Sequence, residues 1–532
     1  MIKKRYFLFN CILFSFLFFT SCSKDNDITG DSKIDTGNES IIDSANYFVS
    51  SLDTSLIHFE DEKKTIFTEN VSFSITSKQY ELLSSIVFKV FPKNENSIVD
   101  TFTVSYSKEY IESKNYFNSY DEKISFPVLG LYDSYFNTVL ITGVFSDGQK
   151  WEKSININTE LYSQSDENNM NVINSFDNLG FSYLLLETDS GPKIMDLEGN
   201  IRWAADEFIE NLNACTVFID KSFFCTRRLS TTNGLYKIGL DGEIDTISVN
   251  CGDYTSAAFH HEINKGPEGI LIEINTRNSS SEVKRNVSFQ KRSSVLIEID
   301  KSGNLLQSWD MDDIIGKCLL ESGIPVDTFI RNDINSDEAM DWFHMNSSIY
   351  DKEDNSVIIS SRENFVIKVG YNDKQIKWIL GDTTKFWYSI DTLRHYAIHL
   401  NKGYSNIGQH SLSLPDDGSL LMYNNGEGSS VPYFPSDKLG EEYTLAMISG
   451  YSIDEENATA EESFNIELPY YSPNMSSVQK KGDKYIITSI PVQPDYTSVV
   501  DIYDANKNVL LQIKNYKYFS IRSYSFSSEL SF

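Results

Sequence analysis

The chain has 532 residues with 40% hydrophobic and 13% aromatic content, too long for one ordinary core and too apolar for disorder, so two or more folded domains are expected. A formal net charge of −30 sets the surface against nucleic acid and anionic lipid headgroups, and obliges any anionic substrate to find a local positive pocket. No nucleic-acid partner is expected.

Lys3, Lys4 and Arg5 precede an apolar run from Tyr6 to Thr20, the layout of a secretory signal. Phe19-Thr20-Ser21-Cys22 resembles the cleavage and acylation site of bacterial lipoproteins, which makes residues 1–22 the signal and Cys22 the lipidated residue. No segment is long and apolar enough for a comfortable membrane span, so the lipid anchor alone would hold the protein to a membrane. An outer-membrane lipoprotein follows, on the periplasmic or the cell-surface face. Residues 23–45, rich in Asp, Ser, Asn and Gly, form a flexible tether with little to bury.

From residue 46 to about 165, strand-like runs alternate with turns, as in TIFTENVSFSIT, SSIVFKVF and DTFTVSYS. This is the pattern of a small N-terminal β-sandwich. The polar break Ser163 to Asn169 marks its end.

Residues 166–532 carry one recurring pattern, an apolar strand, an Asp/Asn/Gly turn and a second strand that often ends in an aromatic. GPKIMDLEGNIRWA at 191, NGLYKIGLDGEIDTISV at 233, SSVLIEIDKSGNLLQSW at 293 and NFVIKVGYNDKQIKW at 364 are the clearest copies, with weaker ones near 449 and 498. Each of the later five follows a further hairpin. Four strands per repeat predict an all-β fold in which a six-bladed β-propeller, with seven blades the alternative, follows the sandwich. The first repeat lacks a strand, which the C-terminal run Tyr516 to Phe526 could supply. Helical periodicity is scarce, with Met311–Ser322 and Asp337–Trp342 the best candidates. Cys215 and Cys225 flank a hairpin turn and read either as a cross-strand disulfide or as two buried cysteines.

Of seven histidines, three fall at equivalent places: His261 with His260 beside it, His344 and His410 each sit early in the first strand of a repeat. In a propeller those strands line the central channel, so the three would face one another. If the hairpin after His344 is centred near Glu353, cross-strand pairing puts Arg362 opposite His344, and period-2 alternation turns Asn346 to the same face. A guanidinium there repels a metal ion and suits a tetrahedral oxyanion, so no metal is expected. Imidazoles, guanidinium and amide together form a cradle for sulfate or phosphate, with one imidazole available as nucleophile. Walker-type and dinucleotide-binding motifs are absent from the sequence, and no nucleotide cofactor is implied.

His260-His261-Glu262-Ile263, Asp341-Trp342-Phe343-His344-Met345-Asn346-Ser347, Ser361-Arg362, Lys377-Trp378-Ile379-Leu380-Gly381 and Gln409-His410 followed by Asn424-Asn425-Gly426 resemble the bacterial arylsulfate sulfotransferases, which move a sulfuryl group between phenols without a nucleotide donor. The resemblance implies a six-bladed propeller with the site in its channel, and a ping-pong reaction through a sulfohistidine. It makes His410 the nucleophile. Arg362, His344 and His261 would hold the sulfuryl oxygens and stabilise the leaving phenolate, while Asn346 helps orient them and His260 joins the substrate-binding set; the choice of His261 over His260 as the active one rests on the family's His-acidic pairing. A hydroxyl from the sixth repeat, Ser476 or Ser477, completes the set. An aryl sulfate donor and a phenolic acceptor are the implied partners, and a homodimer the implied assembly. Cysteines found shortly before the nucleophile in some members are absent here, residues 382–409 having none. The insertion containing His395 and His399 is either an aryl pocket or an ordinary packed loop. A non-catalytic propeller binding sulfated glycans or a protein partner is the alternative.

Overall fold

Short runs of β-branched and aromatic residues at period 2 build strands with one buried face in the first part of the chain. In Phe102–Ser107, Phe102, Val104 and Tyr106 are buried and the residues between them are not. The computed structural model describes residues 57–162, 171–174, 179–188, 190–207, 214–227, 234–254, 257–276, 293–324, 341–429, 439–515 and 522–532. The signal with Cys22, the tether and the break at Ser163 to Asn169 lie outside the described residues.

Two sheets form before residue 163. One has the order His58–Thr65, Thr68–Ser74, Lys123–Leu129, Phe117–Asn118. The other runs Glu529–Ser531, Phe102–Ser107, Leu83–Val90, Phe136–Phe145, Lys150–Asn158. They meet through aromatic side chains, with ring centroids 6.5 Å apart for Phe88 and Phe126 and 4.8 Å for Phe73 and Trp151. The edge strand of the second sheet comes from the far end of the chain: Leu530 pairs in parallel with Val104.

Six further antiparallel sheets follow, numbered here in chain order from the inner strand outward. Sheet I contains Arg522–Phe526, Tyr183–Thr188, Gly191–Asp196 and Ile201–Ala204. Its first strand is thus the C-terminal one, paired Leu185 to Tyr524. Sheet II is Ala214–Ile219, Ser222–Arg227, Gly234–Gly239 and Ile244–Ser248; sheet III is Ala258–Lys265, Ile270–Thr276, Ser293–Ile299 and Leu305–Asp310. Sheet IV is Met345–Asp351, Ser356–Ser361, Val366–Gly370 and Ile376–Leu380. Sheet V is His410–Ser413, Leu420–Asn424, Met447–Asp454 and Thr459–Glu467, with His399–Lys402 added in parallel outside. Sheet VI is Ser477–Lys481, Lys484–Val492, Thr497–Asp504 and Val509–Asn515, with Asn171–Asn174 beyond it. The recurring sequence pattern is the outer strand pair of each sheet.

Three of its turns share one device. Asp196, Asp300 and Asp504 each accept the backbone N–H of an asparagine four residues on, at 2.9, 2.9 and 2.8 Å, so the turn is fixed locally. The terminal aromatic ties one sheet to the next: Trp203 donates to Leu240 O at 3.0 Å and Trp309 to Gly370 O at 3.3 Å.

Sheet IV shows how the stack is held. Val357, Ile359, Ile367 and Val369 face Leu271, Leu296 and Trp309 of sheet III, while Ile358, Val366, Trp378 and Leu380 face Leu412, Leu420, Met422 and Tyr451 of sheet V. Both faces are dry, which is why these strands read as continuous apolar runs. Inner strands neighbour one another in sequence from sheet II to sheet VI, then to Arg522–Phe526, and Tyr183–Thr188 of sheet I lies against Ala214–Ile219 of sheet II. The series closes on itself.

The helix Met311–Glu321 is capped by Asp310, whose carboxylate accepts from Asp312 N at 3.1 Å. Of Asp337 to Trp342, only Asp341 and Trp342 are described, and they are not helical. Cys215 pairs with Thr226 and Cys225 with Thr216. Neighbouring register positions point to opposite faces, so the two thiols form no disulfide. In the insertion, Trp387 is buried, Phe386, Tyr388 and Tyr396 pack against the same cluster as Ile359 and Phe365, and His399 is exposed on the outer edge strand. The packed-loop reading holds for those aromatics.

Candidate active site

The histidines enter the site where the inner strands are irregular. Pairing in sheet III jumps from Phe259–Ile274 to Ile263–Ile272, leaving His260, His261 and Glu262 outside the ladder. In sheet IV the bulge falls on Asn346, between Met345–Ser361 and Ser347–Ser360. In sheet V it falls between His410–Tyr423 and Ser413–Leu421. Positive φ accompanies it at His344 (48°) and Ser411 (55°), and recurs at Met475 (55°) just before the regularly paired inner strand of sheet VI. Bulges and left-handed backbone at non-glycine residues re-aim side chains at a local cost, and persist only where the surroundings enforce them.

Side chains from the preceding sheet bond the backbone of these inner strands. Ser348 N donates to Glu262 at 3.1 Å, Leu412 N to Ser347 Oγ at 2.8 Å, Val478 N to Ser411 Oγ at 3.3 Å and Ser525 N to Gln479 at 2.9 Å. Backbone donors of the inner strands, at Leu412 inside the sheet V bulge and at Ser348, Val478 and Ser525 within regular pairing, are thus satisfied across the inter-sheet gap.

The hairpin reading of Arg362 is met by a backbone bond, Arg362 N to His344 O at 3.0 Å. Simple alternation does not extend to Asn346, because the bulge lies on that residue. Asn346 Nδ2 instead donates to Gln409 O at 2.7 Å, bracing the residue before His410, and Asn346 Oδ1 is buried with no hydrogen-bond partner among the described residues.

His410 is buried. Its Nδ1 meets two acceptors, Asn425 Oδ1 at 2.8 Å and Gly408 O at 3.0 Å. The Asn425 amide is oriented by Nδ2, which donates to Ser472 O at 2.8 Å and Met475 O at 3.3 Å. Nδ1 therefore carries the proton and Nε2 the lone pair. Burial, reinforced by the nearby Arg362 charge, pushes the His410 pKa down to about 3, so the ring is neutral at ordinary pH. Met475 N donates a long hydrogen bond to the Nε2 lone pair at 3.3 Å, a contact that an incoming sulfur would displace. Gly408 has φ +60°, and a Cβ there would meet Glu427 O at 2.6 Å, so no larger residue fits the turn that presents Gly408 O.

His261 and His344 stand next to this ring. Their Nε2 atoms are 2.8 Å apart, and the His261 and His410 ring centroids 6.2 Å. His344 Nδ1 lies 3.1 Å from Asp341. His260 is buried and turned to Glu273, Nδ1 to Oε1 at 3.1 Å. Burial alone would lower its pKa, but Glu273 and Asp341 outweigh that and raise it. Of the adjacent pair, His261 is the one whose ring contacts both His344 and His410. Nitrogens of His260, His261 and His344 all lie within 4.8 Å of one another.

Arg362 NH1 is held by Glu363 at 2.7 Å, and its buried Nε has no hydrogen-bond partner among the described residues. A second guanidinium, Arg522 from the C-terminal strand, bonds Glu187 at 3.2 Å and His261 O at 3.3 Å. The Ser476 hydroxyl is taken up by the loop, with Ile490 N at 3.0 Å and Ser472 Oγ at 2.9 Å; the sixth sheet meets His410 through Met475 N instead. Ser477 Oγ is buried with no partner among the described residues.

Asp341, Asn425, Glu273 and Arg522 carry weight in this geometry that sequence reasoning did not give them. Asp341 and Asn425 stood inside recognisable motifs, whereas nothing near Arg522 signals a site.

A family model described as arylsulfotransferase (ASST) matches residues 158–517. Arylsulfate sulfotransferase AssT of Lelliottia amnigena is 25% identical over 43% of this chain and 44% of its own length; the protein of that name from Escherichia coli O6:H1 is 26% identical over 36% and 38%. The chain thus matches less than half the length of these relatives. Among solved structures, the β-propeller domain of Cps50 (Swd1) from Myceliophteria thermophila is 9% identical, covering 68% of this chain and 91% of its own, with a TM-score of 0.32, too low to bear on how the sheets are arranged. The family model spans more than half of the chain, and the protein belongs to the arylsulfotransferase family.

Proposed function

We propose that the protein is an aryl-sulfate sulfotransferase that passes a sulfuryl group from an aryl sulfate to a phenol through a sulfohistidine at His410, without a nucleotide donor. The observation that carries this is His410 itself: a buried, neutral imidazole with Nδ1–H pinned by Asn425 and Gly408, leaving Nε2 as the lone pair. Nε2 attacks sulfur, the aryl O–S bond breaks, and its electron pair leaves on the phenolate. The N-sulfo ring then carries positive charge, which the two acceptors at Nδ1 stabilise. Arg362 Nε–H is the unspent donor for a sulfuryl oxygen, and a charge-assisted bond of that kind contributes about 1.5–3 kcal/mol. Two Nε2 lone pairs cannot face each other at 2.8 Å without a proton between them, so the His261–His344 pair holds the proton that the leaving phenolate takes. An acceptor phenol returns that proton and breaks the N–S bond.

In this reading the six sheets are the blades of a six-bladed propeller whose first strands line the site, and the two earlier sheets are a β-sandwich domain. Residues 1–22 are the lipoprotein signal, and Cys22 anchors the chain to the outer membrane. Incubation with a chromogenic aryl sulfate should release its phenol only when an acceptor phenol is present. Intact mass after donor alone should gain one acid-labile sulfuryl group, absent in His410→Ala. Release into water without acceptor would make the protein a sulfatase, and no adduct over a broad donor panel would leave a module that binds sulfated ligands.

A further inference from the structure

The gap between His261 and His344 is also shaped for a different cation. Asp341 stands at His344 Nδ1 and Glu273 at His260 Nδ1, both at 3.1 Å. A carboxylate behind an imidazole keeps the proton on Nδ1 and leaves Nε2 as a ligand atom, the arrangement found behind metal-binding histidines. The sequence argument against a metal was the positive charge of Arg362. In the folded protein that charge is met by Glu363 at 2.7 Å, and Arg522 is met by Glu187 at 3.2 Å and Glu262 at 3.6 Å. Glu273 and Asp341 remain beside the three imidazoles to offset a divalent ion.

We infer that His260, His261 and His344 form an inhibitory site for a zinc-class transition ion, which enters in place of the shared proton and excludes the aryl sulfate. Imidazole nitrogen suits zinc, copper and nickel, and not calcium or magnesium, which take oxygen ligands. Zinc–nitrogen bonds of about 2.1 Å in a tetrahedral set put ligand nitrogens about 3.4 Å apart. The pair at 2.8 Å must open slightly and His260 must close in, from nitrogens that already lie within 4.8 Å of one another. Water or the Asp341 carboxylate, 3.8 Å from His260 Nε2, is available for the fourth position. With the ion bound, neither Nε2 can give a proton to the leaving phenolate.

The inference uses the same residues as the proposed transferase but its primary readout needs no turnover. Chelator-treated full chain is titrated with zinc chloride by calorimetry, alongside His410→Ala, His261→Ala and His344→Ala. One zinc per chain is expected in the wild type and in His410→Ala, weakened at least about tenfold in the other two. Cobalt substitution of the wild type should give the intense visible bands of a four-coordinate ion, and this reading stands even where a histidine variant fails to fold. Zinc should raise the apparent KM for the aryl sulfate. Absence of stoichiometric binding, affinity unchanged in both folded variants, or only the weak bands of six-coordinate cobalt would overturn the site; loss of turnover with zinc binding intact would overturn the transferase reading alone.

Discussion

The outer and inner strands of the same sheets obey different rules. Outer pairs such as Val366–Gly370 with Ile376–Leu380 are apolar, buried on both faces and closed by Asp/Asn turns. Inner strands carry bulges at His260–Glu262, Asn346 and Ser411–Leu412, positive φ, and polar side chains that bond across to the next sheet. Outer pairs have register shifts too, as at Lys368–Val369, but in the inner strands of sheets III to V the shifts fall on or beside the histidines and Asn346. The apolar outer pairs hold the stack, and the bulged inner strands carry the site.

That division can be tested by damaging each half separately. Ile359→Ala removes a fully buried side chain from the III–IV interface and should cost about 2–5 kcal/mol of stability, seen as a lower midpoint in chemical denaturation. Below the transition kcat should hold, because no group of the site moves. A fall in kcat in the folded protein would mean that the interface also sets the geometry of the histidines.

Arg362→Lys tests the broken half. Lysine keeps the charge but loses the fork that serves Glu363 through NH1 and leaves Nε for the proposed contact with the sulfuryl group. We expect kcat/KM to fall about 10- to 100-fold, the equivalent of one charge-assisted bond, with unchanged unfolding. Asn425→Ala should be milder, about tenfold in kcat, since Gly408 O still holds Nδ1–H at 3.0 Å.

The outer strands were legible in the sequence because their information is local: an apolar run, a turn asparagine, a terminal tryptophan. The six-fold repeat and the three histidines followed from that regularity. Arg362 was placed opposite His344 by counting from a hairpin centre, and the count held because the Asn346 bulge corrected the register by one. The same bulge defeated the alternation argument for Asn346. The hydroxyl of Ser476 looks available in the sequence, whereas in the fold it is bonded to Ile490 N at 3.0 Å, a partner that only the tertiary structure brings to it. Arg522 could not be read at all, since its role depends on strands brought together from 335 residues apart at Glu187, whereas Glu273, on the strand paired with that of His260, was hidden by the bulge that takes His260 out of the ladder. The edge strand Glu529–Ser531 is similarly silent, a short tail that only the partner Phe102–Ser107 defines.

The smallest effect concerns pH. His410 is neutral in the folded protein with a pKa near 3, pushed down first by burial and then by Arg362, whereas in the unfolded chain it titrates near 6.5. The folded-state value is depressed, so the contribution of this residue is fully present above pH 6.5 and is lost as pH falls from there towards 3. Below pH 6.5 the unfolded chain takes up a proton that the folded one refuses, which erodes stability by at most about 1.4 kcal/mol per pH unit. His410→Gln removes that proton, so its stability should decline less steeply than the wild type's between pH 6.5 and 5. The nucleophile stays unprotonated over the same range, and any acid limb in kcat must then belong to other groups. Parallel stability curves for the two proteins would show that His410 is not the neutral, buried base on which the reaction scheme depends.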